Sequence, residues 1–325
     1  MSEAVVSTRV RLARNLSDYP FPVRLSADQA KEIVEKVGKA LEDSKLRFRR
    51  IDLNTVSGTM RVSLLERHLI SPDFVRAKDG RAVFLSDDNT VSIMVNEEDH
   101  IRLQVILDGF EPDEAYRIAD ELDNTLSRRL RYAFHEHLGY LTQCPTNLGT
   151  GMRASVMLHL PALDMTGAVH RIGANLSKLG LTIRGLYGES SRPVGAFFQL
   201  SNQVTLGISE KAAIDNLRNI TTQLITQEMK ARENILGNIE VEDKIARALG
   251  TLKSALIMDH SEAMNLLSLV RLGVSSKKLT TLGTDSIDKL IVEVQPASVM
   301  TKYGEDMTPQ QRDIKRAEMI RERFA

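Results

Sequence analysis

At 325 residues the chain is long enough for one large domain with a smaller companion, because single cores stop growing near ~250 to 300 residues. Its 43 basic and 43 acidic side chains cancel, which leaves no global field to draw nucleic acid or an acidic membrane surface. The single cysteine excludes an internal disulfide and a multi-cysteine metal cage. It fits a reducing cytoplasm, and the start MSEAVVSTRVRLAR has neither a signal-peptide core nor an apolar run near the ~18 residues of a membrane span.

The segment Val5–Leu12 reads in strand period from Ser7 onward, so Ser7, Arg9 and Arg11 share a face. Residues 27–43 read as a helix with Ile33, Val34, Val37 and Leu41 on one stripe. Strands are expected at 47–53, 60–65, 82–86, 91–95 and 101–107. The last two form an antiparallel pair across Asn96-Glu-Glu-Asp-His100, with Ile101, Leu103, Val105 and Leu107 inward and Arg102 and Gln104 opposite. Ile118, Ala119, Leu122, Leu126 and Leu130 predict an amphipathic helix over 112–134. A strand at 153–160 carries Arg153, Ser155, Met157 and His159 on one side.

A helix near 164–179, strands near 181–187 and 194–200, and a long helix from Ser209 to Leu236, stopped by Gly237, follow. Beyond residue 238 strand patterns fade and short helices dominate. The last helix is announced by Thr308 as N-cap, Pro309 in the first turn and Gln311 as reciprocal cap. The expected fold class is α+β, with a domain over 1–237 and a helical C-terminal domain over 238–325. No glycine-rich loop has Walker or Rossmann spacing.

The turn Cys144-Pro-Thr-Asn-Leu-Gly-Thr-Gly-Met-Arg153 joins the lone cysteine, two close glycines and an arginine. Gly149 and Gly151 would let backbone N–H groups approach an anion that Arg153 can grip bidentately. Arg9, Arg11, Arg102, Arg153 and Arg184 lie on or beside strands with small or polar neighbours. If they converge they need a counter-anion, because arginine does not discharge by losing its proton; otherwise they are solvated surface groups. Glu97 and Glu98 could orient a nucleophile and accept its proton, or form a polar hairpin turn. Cys144 could be a small buried hydrophobe or a thiolate beside cations.

Three segments together resemble the marks of the ATP:guanidino phosphotransferases, the creatine and arginine kinase family. These are S-x-R-x-R at Ser7 to Arg11, NEEDH-x-R at Asn96 to Arg102, and CPTN-L-G-T-G-x-R at Cys144 to Arg153. Arg184-Gly-Leu-Tyr-Gly-Glu189 is similar to the R-G-x-x-G-E segment of that family's mobile substrate loop, so the resemblance extends from residue 5 to residue 236. It implies a largely antiparallel sheet flanked by helices. It also implies that Arg9, Arg11, Arg102, Arg153 and Arg184 bind the phosphates of ATP, with Ser7, Thr8, Val10, Ala154, Ser155, Val156, Met157, Gly185, Leu186, Tyr187 and Gly188 beside them. His68 resembles the histidine that lies against the nucleotide; without the resemblance it is an ordinary partly buried histidine. Glu98 matches the carboxylate that holds the acceptor guanidinium and takes its proton, Cys144 the cysteine beside it, and Glu189 a second guanidinium-holding carboxylate. Mg²⁺ is expected to be held mainly by the nucleotide phosphates, with no protein metal ligands.

The chain begins at the S-x-R-x-R strand, so it is expected to lack the helical N-terminal domain with which phosphagen kinases enclose creatine or free arginine. It adds a helical C-terminal region, and in this it resembles the bacterial protein-arginine kinases. Arg312-Asp-Ile-Lys-Arg316-Ala317 fits their R-D-x-x-R-A motif, which implies phosphoarginine binding by Arg312, Asp313, Arg316 and Ala317; by spacing alone it is a solvated helix face. The resemblance further implies transfer of the ATP γ-phosphate to arginines of proteins, marking them for a Clp-type protease and controlling a stress-response repressor. Feedback by phosphoarginine, a zinc-binding activator protein and a homo-oligomer are implied as well. A free-arginine kinase and a catalytically inactive phosphoarginine-binding adaptor are the competing readings.

Overall fold

A computed structural model describes residues 2–76, 78–185, 194–304 and 306–325, which divide into two compact units. The first unit consists of 7–156 and 201–219; the second consists of the residues up to Val6, 157–200 and 220–325.

In the first unit the elements are β1 (Val5–Arg14, entering from the second unit), α1 (Ala27–Leu41), β2 (Phe48–Asp52), α2 (Gly58–Glu66), β3 (Ala82–Ser86), β4 (Val91–Val95), β5 (Ile101–Asp108), α3 (Pro112–Ser127), the short pair β6 (Phe134–His135) and β7 (Gly139–Tyr140), and β8 (Met152–His159), which runs on into the second unit. The sheet order is β2-β3-β4-β5-β1-β8. β1 and β5 are antiparallel with Arg9 opposite Ile106 and Arg11 opposite Gln104, and β4 pairs β5 with Val95 opposite Ile101. The expected alternation of β1 holds: Thr8, Val10 and Leu12 are buried, while Ser7, Arg9 and Arg11 share the half-buried face. α1 starts at a capping box in which Ser26 and Gln29 satisfy each other's backbone N–H.

Residues 60–65 are helical, not extended. Ser57 accepts from the Met60 N–H and so starts α2, and Leu64 is buried with Leu53, Leu69, Ile70 and Phe74. The expected helix over 112–134 ends at Ser127, and Leu130 reaches the core from the following turn.

The second unit continues β8 and adds α4 (Pro161–Met165), α5 (Ala168–Lys178), β9 (Leu181–Gly185), β10 (Phe197–Asn202), α6 (Glu210–Ile235), α7 (Ile239–Ser254), α8 (His260–Ser275), α9 (Thr284–Glu293), α10 (Pro296–Tyr303) and α11 (Pro309–Phe324); the last residues of β10 and the start of α6 belong to the first unit. Its strand order is β8-β10-β9. The expected helix near 164–179 is broken at Gly167, whose φ of 66° ends one helix and caps the next. The extended run starts at Phe197, after a single 3-10 turn at Val194–Ala196. Leu252, Met264, Leu267, Val270, Ile287, Leu290 and Ile320 form the core between the C-terminal helices. Thr308 and Gln311 make the expected capping box of α11. Among the described residues no helix is long and apolar enough to cross a membrane.

Candidate active site

The antiparallel pairing of β1 with β5, and the place of β8 beside β1 in the sheet, gather side chains from segments far apart in sequence. Arg11, Glu98, Asp99, Arg102, Cys144, Thr146, Asn147, Gly151 and Arg153 line one cavity of about 170 Å³ in the first unit. Cations come from the strands and acids from the β4–β5 connection, so opposite charges line the same cavity.

The arginines differ in how far they are compensated. Arg102 donates from Nη1 to Glu97 Oε2 at 2.6 Å, and that carboxylate also accepts from Ser71 Oγ at 2.5 Å and from the Glu98 N–H at 2.8 Å. Burial alone would raise the Glu97 carboxyl, but Arg102, Ser71 and the Glu98 N–H outweigh it and hold it below its usual range. Among the described residues Arg9 donates only to a neutral acceptor, Gln104 Oε1, at 2.5 Å, and the Nε atoms of Arg9 and Arg11 are buried without a hydrogen-bond partner. Burial, then the charge of Arg102, lowers Arg9 to about 9. Burial and the charges of Arg9, Arg102 and Arg153 push Arg11 well down too. A guanidinium under that pressure keeps its proton at neutral pH and gains more from an anion than from deprotonation.

The acids diverge in the same way. Burial, then the neighbouring Asp99, raises Glu98 against the pull of Arg102. Among the described residues the Glu98 carboxylate accepts only from the Asn147 amide, at 3.5 Å, and its side chain lines the cavity. Asp99 is committed elsewhere, accepting from Asn15 Nδ2 at 2.6 Å and the Gln143 N–H at 2.8 Å. Cys144 Sγ lies 3.0 Å from Thr146 Oγ1 on the same wall. His68 sits at a left-handed φ of 59°, and burial with the nearby Arg9 lowers its imidazole to about 4, so it is neutral.

The glycines of the turn are demanded by packing. Gly149 and Gly151 have φ of 97° and 60°; a Cβ on Gly149 would strike Thr205 O, and one on Gly151 would lie 2.6 Å from Ala13 O and 2.8 Å from Arg14 Nη1. Arg14, which belongs to none of the sequence motifs, holds the turn in place. Its Nη1 donates to Thr150 O at 2.9 Å and to Ala13 O at 3.0 Å, its Nε and Nη2 hold Asp123, and the guanidinium stacks 3.5 Å above the Tyr140 ring. An arginine on the apolar face of a strand, in phase with Val10 and Leu12, was the available signal.

The residues 29–231 match the family model for the ATP:guanido phosphotransferase C-terminal catalytic domain. The chain belongs to the ATP:guanido phosphotransferase family. Residues 238–325 match the model of the protein-arginine kinase McsB C-terminal domain. Relatives named protein-arginine kinase are 44% identical in Clostridium tetani (99% of this chain, 96% of that one) and 46% identical in Desulforamulus reducens (99% and 92%). Among solved structures, a duplicated taurocyamine kinase from Schistosoma mansoni with bound transition-state-analogue components is 27% identical at a TM-score of 0.66, covering 80% of this chain and 38% of that one. A lombricine kinase at 24% identity and a TM-score of 0.62, covering 70% and 67%, shares the fold.

Of the positions expected from this phosphotransferase family, Arg11, Arg102, Arg153, Glu98 and Cys144 thus meet at one cavity, with Arg9 and His68 beside its arginines. The Thr8 and Val10 side chains point into the opposite face, where Thr8 Oγ1 donates to Gly109 O at 2.7 Å. Ala154, Ser155 and Val156 are buried on β8, with the Ala154 N–H given to Asn202 Oδ1 at 2.7 Å. Met157, Arg184 and Gly185 belong to the second unit, and Leu186, Tyr187, Gly188 and Glu189 lie outside the described residues. On α11, Arg312 and Asp313 are half-exposed, Ala317 is core, and Arg316 is buried, donating to Val294 O at 2.7 Å, Met258 O at 2.9 Å and Asp313 Oδ1 at 2.5 Å.

Proposed function

We propose that the chain is a protein-arginine kinase that transfers the γ-phosphoryl group of ATP to the guanidinium of arginine residues in proteins. The observation that carries this is the Glu98 carboxylate, held only by the Asn147 amide among the described residues, lining one cavity with Cys144, Arg11, Arg102 and Arg153. In this reading Arg9, Arg11, Arg102 and Arg153 embrace the triphosphate, whose negative charge satisfies the buried Nε atoms of Arg9 and Arg11. A guanidinium is a poor nucleophile because its free pKa exceeds ~12. Glu98 holds it by charge-assisted hydrogen bonds, aligns one nitrogen with the phosphorus, and takes the proton released as the N–P bond forms. The Cys144 sulfur lines the same cavity, where it would contact the acceptor guanidinium beside Glu98. The oxygen leaving phosphorus departs with ADP, its charge neutralised by the arginines.

Among the described residues no three carboxylate, imidazole or thiol groups converge to hold a metal ion. A magnesium ion carried on the nucleotide phosphates, where it would offset their charge, belongs to the proposal through the family's use of ATP. The match of 238–325 to a protein-arginine kinase domain supports a protein acceptor, a catalytic region over 1–237 and a phosphoarginine-sensing region around Arg312, Asp313, Arg316 and Ala317. In the cell the product would be a mark read by a Clp-type protease and a means of releasing a stress-response repressor from DNA, since phosphate turns a cation into an anion. A cytoplasmic location, a zinc-binding activator and a homo-oligomer belong to the same proposal. Incubation with ATP and either free arginine or an arginine-rich protein, followed by mass spectrometry for acid-labile phosphate, tests it. Phosphate is expected on protein arginines, and labelling of the free amino acid alone would overturn the protein-acceptor reading.

A further inference from the structure

Gln104 is fully buried on β5, directly opposite Arg11 on β1 and Ser92 on β4. Its carboxamide is used on both sides. Nε2 donates to His68 O at 2.8 Å and Leu69 O at 3.0 Å, and Oε1 accepts from Arg9 Nη2 at 2.5 Å. The amide orientation is dictated by its partners, because a carbonyl can only accept and a guanidinium can only donate. Ser92 Oγ donates to the same Leu69 oxygen, so that peptide is held from two strands.

Two consequences follow. His68 has a left-handed backbone, which a non-glycine residue keeps only when its surroundings fix it, and Gln104 supplies part of that fixing from the sheet. The acceptor for Arg9 is also neutral, whereas Arg102 is paired with the Glu97 carboxylate. A carboxylate at 104 would aim Arg9 equally well but would pair with its charge; an amide aims it and leaves that charge for an incoming anion.

We propose that Gln104 is a positioning residue for the nucleotide: one amide aims the Arg9 guanidinium and pins the His68–Leu69 main chain, fixing the guanidinium and the imidazole relative to each other. This rests on the proposed kinase reading, in which Arg9 meets phosphate. Gln104 then governs nucleotide affinity and leaves acceptor affinity alone, since among the described residues its hydrogen bonds go to Arg9, His68 and Leu69 and it is not part of the cavity lining that holds Glu98 and Cys144.

The test is ADP binding by calorimetry, with KM for ATP and for an arginine-rich protein measured separately on the full chain. Gln104→Met preserves size but removes both polar functions. It should raise the ADP dissociation constant and the KM for ATP roughly ten- to a hundredfold, as expected for losing hydrogen bonds that include a charged group. The KM for the protein acceptor should stay within about twofold. Gln104→Glu should bind ADP no better than Gln104→Met, because its carboxylate faces two carbonyl oxygens and cancels the Arg9 charge. If Gln104→Met does not fold, Gln104→Asn, too short to span both sides, carries the same expectation. ADP binding within twofold of the parent in a folded variant, full binding by Gln104→Glu, or equal rises in both KM values would overturn the proposal. A parent chain that binds no ADP would overturn the kinase reading itself.

Discussion

At the residue scale, adjacent glutamates have opposite fates because of what surrounds them. Glu97 is saturated by Arg102, Ser71 and a backbone N–H, and it is held ionised; Glu98 is left almost free, and burial with Asp99 raises it. In the proposed reaction the second is the base. Glu98→Gln should therefore lower kcat by about 10² to 10⁴ with ADP binding retained, a range typical of a positioned general base. A base must be ionised to act, so phosphotransfer should fall as pH drops through the raised Glu98 value. Asp99→Asn, which removes one cause of that rise, should move the acid limb of kcat to lower pH. An unmoved limb would show that another group sets it. Glu97→Gln should instead cost stability, of order 1–3 kcal/mol by denaturant unfolding, because Arg102 loses its ionic partner.

At the scale of elements, legibility in the sequence tracked how local the determining force was. β1, α1, β4 and β5 could be read because one face of each is buried and the side-chain period records it. α2 could not: Val62 and Leu64 alternate as in a strand, and the deciding contacts are the Ser57 cap and burial of Leu64 against Leu69 and Phe74. The break at Gly167 was similarly hidden, since α4 and α5 keep one apparent phase across it. In the site, charged groups in motifs were legible, but their supports were not. Gln104, Ser71 and Arg14 act through partners 26 to 136 residues away, which no spacing reveals. The turn at Gly149 to Gly151 shows what those supports do. Gly151→Ala would force a Cβ toward Ala13 O and Arg14 Nη1 at a left-handed φ, a conformation that alone costs on the order of 1–3 kcal/mol. The expected result is a lower melting temperature together with a loss of phosphotransfer, because Thr146, Asn147 and Arg153 flank the same turn. Wild-type activity in a folded Gly151→Ala chain would show that the turn need not be held.

At the scale of the whole molecule, each compact unit encloses a neutral histidine with no room for a second proton. His100 in the first unit accepts the Leu16 N–H at Nδ1, so its proton is on Nε2, 3.0 Å from Pro20 O; burial lowers it to about 4. His159 in the second unit stacks on Phe197 at 4.8 Å and meets Arg271 through Nδ1 at 3.2 Å, which leaves Nε2–H to donate to Ser268 Oγ at 2.8 Å. Burial, then Arg271 and Arg232, depresses it well below its ordinary value. The arginines that surround it are themselves structural: Arg271 is paired with Asp288 and Arg232 with Glu228, whose carboxylate also caps the start of α4 through the Ala162 and Leu163 N–H groups. The sign of the linkage follows from which state takes the proton. Unfolding releases each histidine to its ordinary value near ~6.5, so below that pH the unfolded chain binds protons that the folded chain refuses. Stability is therefore full above ~6.5 and declines as pH falls toward the folded values, by about 1.4 kcal/mol per pH unit for each histidine. Whichever unit unfolds first contains such a group, so acidification should lower every transition in a calorimetric scan between pH 7.5 and 5.5. His159→Gln should flatten the decline for the transition of the second unit and leave that of the first unchanged. A pH-independent scan of the parent chain over this range would mean that these imidazoles take up protons as readily in the folded chain as in the unfolded one.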